Sequence, residues 1–152
     1  MRPSATRPSE EGEFPLKKKI LAVILSAALI GAVIFGILYL KQVSDYKDNI
    51  ASITFAAIDL TAVSDGTYIG KYDAGMISAK VQVTVEDHAI REIKLLEHKN
   101  DRGAPAESIL DHMVQEQKTD VDAVTGATNS SKVLRKAVEN ALAMGMEDAS
   151  GS

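Results

Sequence analysis

The sequence contains no cysteine among its 152 residues. Disulfide bonds, thiolate metal sites, iron–sulfur ligation and an acylated lipoprotein cysteine are therefore excluded. Histidine is also scarce: His88, His98 and His112 stand apart along the chain, without the spacing of a zinc or haem site. We also find no nicotinamide fingerprint and no acid/base constellation. These absences predict no metal site and no catalytic residue, which argues against a self-contained reductase.

Charge is missing from residues 20–40, ILAVILSAALIGAVIFGILYL. As a helix this run is roughly 31 Å long, which matches a hydrocarbon core of about 30 Å. Its small residues, such as Ala27 and Ala28, leave a cleaved signal peptide as the alternative. Signal-peptide apolar regions are only about 7–15 residues long, so we expect a retained transmembrane helix.

The flanking charges predict the orientation of this helix. Lys17, Lys18 and Lys19 adjoin its start, and lysine-rich flanks stay in the cytoplasm. We therefore expect a single-pass protein of the cytoplasmic membrane with its N-terminus inside and its C-terminal domain extracytoplasmic. Acidic residues outnumber basic ones beyond the helix, which argues against nucleic acid as a partner. Residues 1–19 are predicted to be a cytoplasmic disordered tail, and residues 147–152 are predicted to be a disordered tail at the other end of the chain.

Residues 41–64 are predicted to be a juxtamembrane helix or stalk. Their apolar residues recur at spacings of three and four, which is a narrow stripe of coiled-coil type. Two interpretations remain open: the stripe packs on its own domain, or it docks against another membrane subunit or a second copy. The stripe consists of Val43, Tyr46, Ile50, Ile53, Ala57 and Leu60.

Residues 65–146 are predicted to form a small α+β domain. Residues 66–72 and 79–86 are the first two expected strands, and the second alternates Val81, Val83 and Val85 with polar residues. Asp87-His88 occupies the place of a two-residue hairpin turn, and residues 89–97 return as a strand. Two amphipathic helices follow, the second from near Ser130. The predicted fold class is α+β: a small antiparallel sheet packed against helices, preceded by a single N-terminal transmembrane helix.

The segment TDVDAVTGATNSS, residues 119–131, lies between those two helices. Gly126 and Ala127 are small enough for a bulky group to approach the backbone. Thr128, Asn129 and Ser130 bring hydroxyl and amide groups to a helix N-terminus, where free N–H groups favour a phosphate. The alternative is that Asn129 or Ser130 is an ordinary N-cap.

The heptapeptide DAVTGAT, residues 122–128, resembles the flavinylation motif of the FMN-binding domain family. That family includes the C subunit of the sodium-pumping NADH:quinone oxidoreductase and the G subunit of the Rnf complex. The resemblance covers roughly residues 65–142. It implies that Thr128 carries FMN covalently, through a phosphoester to its side-chain oxygen. Asp122 and Thr125 match the family's recognition pattern, and Gly126, Ala127, Asn129 and Ser130 complete the cofactor site.

The resemblance is weaker in residues 98–105, HKNDRGAP, which contain one glycine where family members often have a glycine-rich loop. It implies that His98 and Gly103 lie near the flavin ring; the alternative is that this region is an ordinary polar loop. It also implies maturation by a magnesium-dependent flavin transferase that acts outside the cytoplasm.

The function expected from the sequence is that of an electron-transfer flavoprotein. It would relay electrons between a membrane donor and another redox partner, as a free protein or as a subunit of a redox complex. The alternative is a non-redox assembly or sensing module with a degenerate FMN-binding fold.

Overall fold

The computed structural model describes residues 14–100 and 102–150. The chain divides into two compact units, Met1–Lys41 and Gln42–Ser152. Helix α1, Phe14–Ala51, provides the described part of the first unit and continues into the second. Of the described residues, only this helix is long and apolar enough to cross a membrane, judged by length and composition.

The start of α1 corrects the predicted disordered tail of residues 1–19. The helix begins at Phe14, so residues 14–19 are helical, and residues 1–13 lie outside the described part. Pro15 suits a first helical turn, where its missing N–H needs no partner, and the three lysines that follow are good helix formers. The large apolar side chains of residues 20–40 are all exposed.

The second unit contains the predicted antiparallel sheet. Strands β1, Gly66–Asp73, β2, Ser78–Glu86, and β3, Ala89–Lys99, lie in the order β1-β2-β3. Asp87 and His88 form the turn between β2 and β3, with φ angles of 53° and 57°, as a two-residue hairpin with the right twist requires. The hairpin is therefore confirmed, with two residues that adopt positive φ less readily than glycine.

Two helices cover one face of the sheet, which confirms the α+β fold class. Helix α2, Ile109–Glu116, precedes α3, Thr128–Ser150. The predicted apolar stripe of α3 is fully buried. A Cβ on Gly70 of β1 would meet the Ala141 backbone nitrogen at 2.5 Å, so this glycine lets α3 lie directly on the strand. The stripe consists of Val133, Leu134, Ala137, Val138, Ala141 and Leu142.

The juxtamembrane helix is shorter than its apolar stripe predicts. Helix α1 ends at Ala51, and residues 53–59 have no regular secondary structure. Side chains of α3 satisfy the backbone of this segment: Lys136 Nζ donates to the Thr54 carbonyl at 2.8 Å, and Glu139 Oε2 accepts from Ala56 N–H at 3.3 Å. Tertiary hydrogen bonds thus replace the helical ones.

The stripe itself packs on its own domain. Ile50 is 6% exposed and belongs to the core, with Tyr46 and Ile53 packed against it. Of the two interpretations, the structure supports the intramolecular one for these three residues.

The far end of α3 also differs from the prediction. The helix runs through Ser150, so residues 147–150 are helical rather than a disordered tail, and residues 151–152 lie outside the described part. A run without glycine or proline after Gly145 lets the helix continue past its last packed turn.

Candidate functional site

A tight turn immediately precedes α3. The Ala127 N–H donates to the Val124 carbonyl at 3.0 Å, and Gly126, the third residue of the turn, has φ of 81°. A positive φ at this position is the mark of a type II turn, where glycine is favoured. A Cβ on Gly126 would meet nothing within 4 Å. The glycine is therefore required by backbone conformation, and the space beside it is open.

Ser131 joins this turn to the helix. Its Oγ accepts from the Val124 N–H at 3.1 Å and donates to the Ala127 carbonyl at 3.0 Å. The residue is 2% exposed. A serine in the first turn that bonds back four residues is a recognised local pattern, but the sequence did not single out Ser131 as the residue that holds the turn.

Thr128 is the first residue of α3 and is exposed. The helix therefore begins before Asn129 and Ser130, which places both inside its first turn and rules out the interpretation that either is its N-cap. Ala127 precedes the helix and has no side-chain oxygen with which to cap it. Because the first N–H groups of a helix have no partner within the helix, they are available to an anion beside Thr128.

A cleft of about 380 Å³ opens beside Thr128, within the ~300–1,000 Å³ common for small-molecule sites. Four separate parts of the chain form its walls. The turn and the start of α3 supply one wall, and the remaining parts are the end of α1, the β1–β2 connection and the loop after β3. The lining residues are Tyr46, Ile77, Arg102, Gly103, Gly126, Ala127, Thr128, Asn129 and Ser130.

Six of the nine predicted site residues thus meet at one cleft, and three do not. Thr125 is exposed in the turn but does not line the cleft. Asp122 is also exposed and faces a neighbouring groove beside Asp120 and Lys118. In that groove the hydrogen bond that Lys118 donates to the Glu116 carboxylate, together with the negative charges of Glu116, Asp120 and Asp122, raises the pKa of Lys118. The predicted part of Asp122 and Thr125 in recognition by a transferase stays a prediction.

His98 lies behind the cleft wall rather than in it. The pairing of β2 with β3 shifts register between Lys80 and Val81, which leaves Leu96 as an extra residue on β3. This bulge turns His98 to the helix-covered face, opposite buried Ala79. The His98 side chain is 2% exposed, and its Nδ1 lies 2.8 Å from Glu107 Oε1.

Asn100 connects His98 to the cleft wall. Its Nδ2 lies 3.2 Å from His98 Nδ1, and its Oδ1 accepts the Gly103 N–H at 3.0 Å. A Cβ on Gly103 would overlap the side chain of Ser130. Gly103 is therefore needed so that the loop backbone can press against the start of α3. His98 therefore does not line the cleft but contacts Asn100, which in turn binds the backbone of Gly103 in the cleft wall.

Three lining residues were not predicted from the sequence to belong to the site. Tyr46 is on the apolar stripe of α1, Ile77 is in the β1–β2 connection, and Arg102 follows β3. Arg102 is the only charged side chain among the described lining residues. Together with the helix start it makes this side of the cleft favourable for a phosphate. Of these three residues, only Tyr46 belongs to a sequence pattern, the apolar stripe, and that pattern predicts packing rather than a ligand site.

Part of the second unit matches a known protein family. A search of curated proteins gave no match to this chain. Residues 74–143 match the family model described as the FMN-binding domain. The matched stretch includes β2, β3, α2, the turn at Gly126 and most of α3. The small-residue turn, the uncapped helix start and most of the cleft lining lie inside this match, which supports an FMN-binding domain in residues 74–143.

Proposed function

We propose that this chain is a membrane-anchored, extracytoplasmic flavoprotein that carries FMN covalently on Thr128. It relays electrons between a membrane donor and another redox partner, alone or within a redox complex. The observation that carries the proposal is the placement of Thr128. Its side chain is exposed at the first position of α3 and lines the cleft within the family match.

The attachment chemistry suits this position. A flavin transferase would supply FAD, and the Thr128 oxygen would form a bond to the phosphorus of the FMN half. The pyrophosphate bond would break, AMP would leave, and the hydroxyl proton would be released. The phosphodiester on Thr128 retains one negative charge. The unpartnered N–H groups of the first turn and the Arg102 guanidinium favour that charge.

The rest of the cleft suits the flavin ring. Ile77 and Gly103 of the facing wall, together with the open side of Gly126, would adjoin a flavin ring attached at Thr128. When bound, FMN supplies one- and two-electron redox chemistry, and the protein supplies orientation and tuning.

Mass spectrometry of the purified full chain tests the attachment. After co-expression with a flavin transferase, we expect a mass increase on the peptide containing Thr128. The yellow colour should remain after denaturation. The Thr128→Ala variant should lose both signals, whereas Thr67→Ala, an exposed threonine of β1, should keep them. Unmodified Thr128 in a chain that is otherwise folded would refute the proposal and favour the non-redox tethered module.

The proposed orientation follows from the lysines at the start of α1 and is testable because the chain has no cysteine. A single cysteine at Asp87, in the exposed hairpin turn, should react with a membrane-impermeant maleimide added outside the cell. A cysteine in place of Ser4 should be protected until the membrane is opened. The reverse pattern would overturn the N-in orientation.

A further inference from the structure

Tyr46 brings an aromatic ring to the cleft from a distant part of the sequence. It belongs to the last turns of α1, and it lines the cleft together with Ile77 and the helix start at Thr128. Tyr46 precedes Thr128 by 82 positions along the chain. The last turns of α1 belong to the second unit. The cleft is therefore complete only when these turns pack on the sheet and helices of the same unit.

Several contacts hold Tyr46 at this wall. Asn129 Nδ2 donates to the Tyr46 hydroxyl at 2.9 Å. One turn further on, Ile50 is buried in the core, and Asn49 Nδ2 lies 3.4 Å from the Ala74 carbonyl. The Tyr72 hydroxyl donates to the backbone carbonyl of Asn49, with 3.5 Å between the two oxygens. The ring position is thus set by the packing of α1 as well as by its own hydrogen bond.

Tyr46 is chemically distinct among the residues that line the cleft. Among the lining residues that the structure describes it is the only aromatic side chain, and the chain has no tryptophan and four tyrosines. Of the others, Tyr68 is buried with its hydroxyl on the Ser64 carbonyl, and Tyr72 lines a separate groove. Because the Tyr46 oxygen accepts from Asn129, its own proton remains available to a ligand.

We propose that Tyr46 contacts the isoalloxazine ring of the FMN carried on Thr128, so that the end of α1 forms part of the flavin site. This inference rests on the proposed function, because it takes the flavin to be attached at Thr128. Thr128 lines the cleft, so a ring anchored there would have the cleft within reach. Tyr46 provides that cleft with a flat apolar face and a hydroxyl donor, the combination that suits a heteroaromatic ligand.

Flavin fluorescence tests this contact directly. A phenol in van der Waals contact with an excited flavin donates an electron to it, and the electron then returns, so the emission is lost. Phenylalanine and leucine cannot donate in this way. In the full chain in detergent, Tyr46→Phe and Tyr46→Leu should raise the emission per covalently bound flavin several-fold.

Tyr72→Phe is the matched control. Tyr72 also contacts the end of α1 through Asn49 but lies outside the cleft, so its substitution should leave the emission low. A thermal melt of each variant shows that it is folded, and mass spectrometry gives the flavin content on Thr128.

The outcomes separate the two proposals. Higher emission in both Tyr46 variants but not in Tyr72→Phe, with Thr128 fully modified throughout, supports the contact. Unchanged emission with Thr128 modified overturns the contact and leaves the proposed function standing. An equal rise in all three variants also overturns it, because the effect then comes from loosening α1. Absence of flavin from Thr128 in the unaltered chain overturns both.

Discussion

We expect Gly126→Ala to lower both the stability of the turn before α3 and the extent of FMN attachment. The φ of 81° places this residue in the left-handed region, and a Cβ there would meet no atom within 4 Å. The substitution therefore costs conformational strain without a clash. Left-handed backbone costs an L-residue about 1–2 kcal/mol, and the stiffer unfolded chain offsets part of this.

The expected net loss is about 1 kcal/mol in the free energy of unfolding. For a domain of this size it corresponds to a decrease in Tm of roughly 4–8 °C. Circular dichroism of the full chain in detergent measures it. We also expect less FMN on Thr128, because a strained turn weakens the Ala127-to-Val124 hydrogen bond and displaces the hydroxyl. Asparagine tolerates positive φ, so Gly126→Asn should recover part of both losses.

Gly75→Ala is the matched control for this prediction. Gly75 has φ of 97° and equally open surroundings, but it lies in the β1–β2 connection. It should lose similar stability and keep normal FMN attachment. Equal loss of attachment in both variants would show that attachment follows global stability. An unaltered Tm in Gly126→Ala would refute the strain argument itself.

Two further predictions follow from the second unit. Ser131→Ala leaves the Val124 N–H without its acceptor, so we expect the free energy of unfolding to fall by about 1–3 kcal/mol and FMN attachment to decrease. Ser131→Thr keeps the hydroxyl and should retain most of the stability and of the attachment. An unchanged thermal melt of the alanine variant would contradict this account. Hydrogen bonds from the N–H groups of Asp87 and His88 lower the pKa of Asp65 in the folded protein. The ionised Asp65 therefore stabilises the fold above the unfolded-state pKa of about 3.9, and this stabilisation is lost as the pH falls through the lower folded-state pKa. Asp65→Asn should show a weaker dependence of Tm on pH in that range, and identical pH profiles would show that Asp65 contributes nothing.

Local patterns were sufficient for most of the secondary structure. The alternation of Val81, Val83 and Val85 predicts a strand with one buried face, and all three are fully buried. The stripe of α3 likewise predicts its buried face, because periods of 2 and 3.6 residues depend only on local backbone geometry. The end of α1 was missed because α3 side chains bind the backbone of residues 54 and 56, and no local pattern encodes such contacts.

In the candidate site too, local sequence predicted some residues, whereas tertiary contacts determined the position of others. Thr128, Gly126 and their neighbours were predicted because they form one continuous segment with a recognisable motif. His98 was placed at the flavin ring by resemblance, but the bulge at Leu96 sends it behind the wall, toward Glu107. A one-residue shift in a strand reverses the face of every later side chain, and the sequence shows no sign of that shift.

The sequence by itself determined the apolar helix, the antiparallel hairpin and the threonine at the helix start, because each depends on residues close together in the chain. Tertiary structure alone decided what surrounds Thr128. It brought Tyr46, Ile77 and Arg102 to one cleft from three separate segments. The packing of α1 and of the β3 loop against the core sets those positions, and such packing is a property of the whole fold.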